Sequence, residues 1–182
     1  MREIGVAVVG TGYIGREHIK VVAAHSQARL AVICATPRSE ESAVELQEVY
    51  RAGRVSVDFM DVVQDEAVDV VYLCTPNSKH VQQAVQALEG GKHVFVEKPL
   101  AVTLADCARI VAAARVSGRQ VMVGHGARFS KIFVALHKLV QDGTLGEACF
   151  VEGDYVHDLG PFLDLPGHDW WLDAEQEGQL SI

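Results

Sequence analysis

The four cysteines (Cys34, Cys74, Cys107 and Cys149) are scattered, and no C-x-x-C pair occurs. That excludes a cysteine-rich zinc module and a disulfide framework, so no metal site is expected. The thiols are expected as small, buried apolar groups. Positive charge is scarce: 16 Lys and Arg stand against 24 Asp and Glu, for a net charge of -8. Without a basic stripe nothing neutralises a run of phosphates, so nucleic acid is not an expected partner. No apolar run approaches the ~20 residues of a membrane helix, and no membrane association is expected. The N-terminus enters a strand directly, without the pattern of a secretion signal, which predicts a cytoplasmic protein. Internal repeats and low-complexity stretches are missing. What remains is 49 % hydrophobic and 22 % charged, the composition of a globular chain.

The most informative run is Glu3 to Val9 followed by Gly10-Thr11-Gly12-Tyr13-Ile14-Gly15. This is G-x-G-x-x-G between an apolar strand and a helix. Each glycine has its own duty: Gly10 permits the tight turn, Gly12 lets the backbone approach a pyrophosphate, and Gly15 lets helix and strand pack closely. The helix N-terminus offers backbone N–H groups and a positive dipole end to the same anion. The helix is predicted over Ile14 to Ala24, with Ile14, His18, Val21 and Val22 on one stripe. A second strand is predicted over Arg29 to Cys34.

Alternation continues along the chain. Helices are predicted from Glu40 to Ala52, His80 to Glu89 and Thr103 to Ser117, with a helical turn near Asp61. Strands are predicted near Val55, from Val68 to Cys74, from His93 to Val96 and from Gln120 to Gly124. Short strands alternating with helices predict an α/β fold with a doubly wound parallel sheet. The pattern changes after about Arg128. Ser130 to Asp142 reads as a helix striped by Ile132, Leu136, Leu139 and Val140, and Glu147 to His157 as a long strand. The expected organisation is a dinucleotide-binding domain over 1–124 and a partial second domain over 125–182.

Ligands on open parallel sheets bind at the carboxyl ends of the strands. Those ends carry Gly10 to Gly15, Cys34 to Arg38, Thr75 to His80, Glu97 to Pro99 and His125 to Phe129. NAD recognition asks for Asp or Glu about twenty residues beyond the glycines. Ala35 stands there, followed by Thr36, Pro37, Arg38 and Ser39. A missing carboxylate removes the partner of a ribose 2′-hydroxyl and the charge that repels a 2′-phosphate. Arg38 can pair with that phosphate, helped by the Thr36 and Ser39 hydroxyls. The expectation is NADP(H) over NAD(H); the alternative is a solvated Arg38 and a loose preference. In Glu97-Lys98-Pro99, the Lys98 ammonium is placed to hydrogen-bond a substrate hydroxyl and stabilise a developing alkoxide. On the tripeptide alone, an ordinary surface Glu–Lys pair remains the alternative.

Together these residues resemble the Gfo/Idh/MocA oxidoreductases. The resemblance rests on Gly10 to Gly15 with His18, on Cys74-Thr75-Pro76-Asn77 with His80, and on Glu97-Lys98-Pro99-Leu100. It extends to Gly124-His125 with Arg128-Phe129 and to Asp169-Trp170-Trp171-Leu172-Asp173. The resemblance implies a Rossmann domain that binds NAD(P), and oxidation or reduction of a hydroxyl carbon on a sugar- or polyol-like small molecule. It makes Lys98 the catalytic lysine. Thr75, Pro76, Asn77 and Glu97 would line the nicotinamide side, with His80 near the pyrophosphate or ribose edge. The second domain in this family forms an open sheet that commonly makes a homo-oligomer interface. The family's glycine-rich turn, Asp and His beyond the tryptophan segment have no counterpart before Ile182, and His157 and His168 do not match them. A C-terminally truncated member is therefore expected. Two alternatives remain for such a chain: a dinucleotide-binding remnant or regulatory module without turnover, and an NAD-dependent glycosidase of the same family.

Overall fold

The computed structural model describes residues 2–154 together with Val156, Asp158 and Gly160. The expectations for Asp169 to Asp173, His157 and His168 lie outside the described residues. In chain order the elements are β1 (Ile4–Val9), α1 (Tyr13–Ala24), β2 (Ala28–Cys34), α2 (Glu40–Tyr50), β3 (Arg54–Ser56) and α3 (Phe59–Gln64). They continue with β4 (Val70–Leu73), α4 (Asn77–Glu89), β5 (His93–Val96), α5 (Leu104–Ser117), β6 (Val121–Val123) and α6 (Lys131–Gln141). Single 3-10 turns precede α2 and α6, at Pro37–Ser39 and Gly126–Phe129.

The strands form one sheet in the order β3-β2-β1-β4-β5-β6, and each recorded pairing is parallel. Strand order reverses between β1 and β4, the switch point of a doubly wound fold. Side chains alternate across the sheet and build a core on each face. Val6, Val8, Leu30 and Ile33 pack with Ile19 and Val22 of α1 and Leu46 of α2. Ala7, Val9, Val71 and Leu73 pack on the other face with Ala84 and Leu88 of α4 and Ile110 of α5. Each buried Val, Leu or Ile among them contributes about 1.5–3 kcal/mol.

Helix boundaries follow local chemistry. Asp58 caps α3 by accepting from Met60 N–H at 2.8 Å, and Thr103 caps α5 by accepting from Asp106 N–H at 3.1 Å. Gly118 ends α5 at φ 65°, where glycine carries no penalty. The chain divides into two compact units, one running through Gly124 and one beginning at His125.

Three expectations are corrected. The buried face of α1 is Gly15, Ile19 and Val22, whereas Ile14 and Val21 are exposed. Gly15 must face β1, and that fixes the helix rotation away from the expected stripe. Residues 147–154 of the predicted strand Glu147 to His157 carry no strand. An alternating sequence becomes a strand only with a hydrogen-bonding neighbour, and the described residues supply none there. Finally, only Cys34 and Cys74 are buried; Cys107 is half-buried and Cys149 exposed. Burial pushes the Cys34 thiol up to about 11, which leaves it unreactive.

Candidate dinucleotide and lysine site

Register places the candidate residues on one edge. Cys34, Val9, Leu73, Val96 and Val123 pair in one row across the sheet. The next residues therefore leave the sheet side by side: Ala35, Gly10, Cys74, Glu97 and Gly124. Neighbouring strands lie about 4.8 Å apart, so β1, β4 and β5 bring the glycine, T-P-N and E-K-P turns within about 10 Å of edge.

The glycine turn sits against the end of β4. Gly10 has φ 100°, and a Cβ there would lie 2.4 Å from the Cys74 carbonyl oxygen. A Cβ on Gly15 would lie 2.0 Å from the Gly10 carbonyl oxygen. Both glycines are required by the fold itself. Gly12 differs: it caps α1 at φ -67°, which any residue adopts, and a Cβ there would meet nothing within 4 Å. The open space in front of Gly12 fits an approaching pyrophosphate. The first turn of α1 carries no acidic residue and no side-chain cap, so its positive end is not neutralised from within. Tyr13 and Ile14 lie exposed on that turn. Arg16 braces it by donating through Nε to the Thr11 carbonyl at 3.1 Å and bonding Ser42 of α2.

At the end of β2, Ala35 is buried and its N–H donates to the Ser56 carbonyl at 2.9 Å. Thr36 and Ser39 are tied together: Thr36 N–H donates to Ser39 Oγ at 3.2 Å, and their hydroxyls lie 3.0 Å apart. Arg38 is exposed in the 3-10 turn, and its guanidinium has no partner among the described residues.

Beyond β4, the Thr75 hydroxyl donates to Gln83 Oε1 at 2.6 Å, Pro76 caps α4 and Asn77 is buried on its first turn. His80 is fully buried, so it offers no ring to the edge. Its Nδ1 lies 2.9 Å from the Pro99 carbonyl and its Nε2 2.9 Å from the Thr75 carbonyl, which bridges the two turns. Burial pushes the His80 imidazolium down harder than those carbonyls and the Glu97 charge pull it up. A neutral ring donates from one nitrogen only, so one carbonyl faces a lone pair.

Lys98 is exposed, and its ammonium has no partner among the described residues. The Lys98–Pro99 peptide is cis. Glu97 is engaged on both oxygens. Oε1 lies 2.8 Å from His18 Nε2, and Oε2 accepts the Lys98 N–H at 3.2 Å. Burial pushes the Glu97 carboxyl up, but the His18 bond and charge and the Lys98 N–H outweigh it, leaving Glu97 below the usual range. The His18 ring stands edge-on to Tyr72 and Phe95, with centroids 5.4 and 5.0 Å away.

The structure thus brings Gly10 to Gly15, Thr75 to Asn77, Glu97 and Lys98 to adjacent turns, with Thr36 and Arg38 one strand outward. The sequence assigned no site role to His18 or Gly124 and gave no signal for Gln83 or Arg16. The signal for His18 is its place on the helix behind the glycines, three residues after Gly15.

Comparison with known proteins agrees with this arrangement. The family described as GFO/IDH/MocA oxidoreductases with an NAD-binding Rossmann fold matches residues 4–125. The inositol 2-dehydrogenase of Salmonella paratyphi B is 34 % identical over 152 residues, covering 82 % of this chain and 45 % of that protein. Among solved structures, an oxidoreductase domain protein from Kribbella flavida superposes with a TM-score of 0.88 at 28 % identity, covering 98 % of this chain and 50 % of that one. A levoglucosan dehydrogenase in complex with NADH and levoglucosan gives 0.73 at 26 % identity, covering 80 % of this chain and 41 % of that one. The chain spans about half the length of the relatives it matches.

Proposed function

The chain belongs to the GFO/IDH/MocA oxidoreductase family with its NAD-binding Rossmann fold, and from that premise we propose a hydride-transfer role at the carboxyl edge of the sheet. The substrate is a hydroxyl carbon of a sugar- or polyol-like molecule, and the cofactor is NADP(H) in preference to NAD(H). Bound at this edge, the nicotinamide supplies the hydride donor or acceptor.

The chain's own residues have separable tasks. Gly12 and the first turn of α1 receive the pyrophosphate through backbone N–H groups. Arg38 pairs with a 2′-phosphate beside Ala35, whose methyl neither bonds a 2′-hydroxyl nor repels the extra charge. Thr75, Pro76 and Asn77 flank the nicotinamide. Lys98 donates a hydrogen bond to the substrate oxygen and stabilises the charge that develops on it.

The observation that carries the reading is Gly12: no contact within the chain requires a glycine there, whereas a dinucleotide does. Calorimetric titration with NADPH and NADH tests it. The expected outcome is binding of both, NADPH more tightly, with Ala35→Asp reversing the order. A folded chain that binds neither overturns the proposal. Lys98→Ala is expected to remove oxidation of a polyol panel while leaving dinucleotide affinity within about threefold.

A further inference from the structure

We propose that His18 is a positioning residue for Lys98, acting through Glu97: the imidazole holds one carboxylate oxygen while the other holds the Lys98 backbone N–H. The pair thereby fixes the helix behind the glycine turn and the lysine turn as one unit. This rests on the reading of Lys98 given above.

The geometry is specific. A carboxylate accepts only, so His18 must donate from Nε2 across the 2.8 Å contact to Oε1. Oε2 takes the Lys98 N–H at 3.2 Å, and the Glu97 N–H donates to the Leu73 carbonyl at 2.9 Å. Glu97 therefore ties α1, β4 and the lysine turn together. The His18 and Glu97 side chains are only 20 % and 14 % exposed, so water competes weakly for these bonds. The slot is built for the pair. Tyr72 and Phe95 stack at 4.6 Å and wall the His18 ring. A Cβ on Gly124 would lie 2.8 Å from Glu97 Oε1 and 3.0 Å from Phe95 Cζ, so a larger residue there would drive the carboxylate out.

Amide hydrogen exchange on the full chain, without dinucleotide, tests the proposal. His18→Leu should speed exchange of the Lys98 amide by about tenfold or more while β1 amides stay unchanged. His18→Gln, whose Nε2 can replace the lost donor, should restore protection. Should His18→Leu fail to fold, Glu97→Gln serves: its single amide oxygen serves only one of the two positions, so either the ring proton moves to Nδ1, read from the histidine ¹⁵N shifts, or the Lys98 amide loses its acceptor and exchanges faster. Unchanged Lys98 exchange in folded His18→Leu overturns the proposal, as does Glu97→Gln with both the ¹⁵N signature and Lys98 exchange unmoved. Equal loosening of β1 and Lys98 also overturns it, since that marks a merely structural contact. NADPH titration of the unaltered chain separately tests the reading beneath: no binding removes that reading and leaves the exchange result standing.

Discussion

Three glycines in one motif differ in what forbids a side chain. At Gly10 and Gly15 the obstacle is backbone carbonyl oxygen, at 2.4 and 2.0 Å from an added Cβ, and backbone cannot step aside cheaply. Gly15→Ala is expected to cost about 1–3 kcal/mol, as overpacking does, read as a lower urea midpoint. Gly12→Ala meets nothing within 4 Å, so thermal stability should hardly change. Its methyl would occupy the space where the pyrophosphate approaches. Loss of one charge-assisted hydrogen bond there, about 1.5–3 kcal/mol, weakens NADPH by roughly 10- to 150-fold. An unfolded Gly12→Ala, or one that binds normally, would contradict the assignment. The glycine spacing was legible in sequence because the motif is contiguous between one strand and one helix, even though the carbonyl that crowds Gly10 belongs to distant Cys74. The partner of Glu97 was not, because His18 lies 79 positions away and only the sheet brings them together.

At the scale of elements, strands were the most legible part. Val70–Leu73 and His93–Val96 are short, largely apolar runs in which half-buried and buried residues alternate, and composition marks such strands. Helix orientation was less legible. The α1 stripe was read from hydrophobicity, but Gly15 sets the buried face through its contact with Gly10, and a glycine carries no weight in a hydrophobic pattern. The predicted strand after Glu147 shows the other limit, since strand formation depends on a partner elsewhere in the chain. Helix α4 gained a role that periodicity could not assign. Its His80 spans to Thr75 and Pro99, so the helix anchors both turns that flank the lysine. His80→Ala should leave a cavity and a carbonyl without its donor, costing about 2–5 kcal/mol in urea unfolding. It should also loosen both turns, seen as faster exchange at residues 75–77 and 97–100 with α2 unaffected.

At the scale of the whole molecule, Asp65, Asp69, Glu97 and His80 act in one direction on stability in acid. Burial opposes ionisation of Asp65, Asp69 and Glu97, but hydrogen bonds and cations outweigh it and hold all three low. Asp65 is held by Ala67 N–H and Arg54, and Asp69 by Gly5 N–H and Arg2. For each carboxylate the unfolded chain binds more protons, so its contribution is present above the ordinary carboxylate pKa near about 4 and is lost as pH falls below it. His80 is also lowered, through burial. The unfolded chain again binds the extra proton, now below about pH 6.5, so this contribution is present above that value and declines as pH falls toward the folded pKa. The two sets separate in pH. Thermal melts should show a plateau from about pH 7 to 8, a shallow loss that begins as pH falls below about 6.5, and a steeper loss that begins below about pH 4. His80→Gln should abolish the shallow leg and spare the steep one, because a glutamine takes up no proton in that range. Asp69→Asn should reduce the steep leg and spare the shallow one. Identical profiles for the parent chain and His80→Gln would show that the buried imidazole is not what links stability to mild acid.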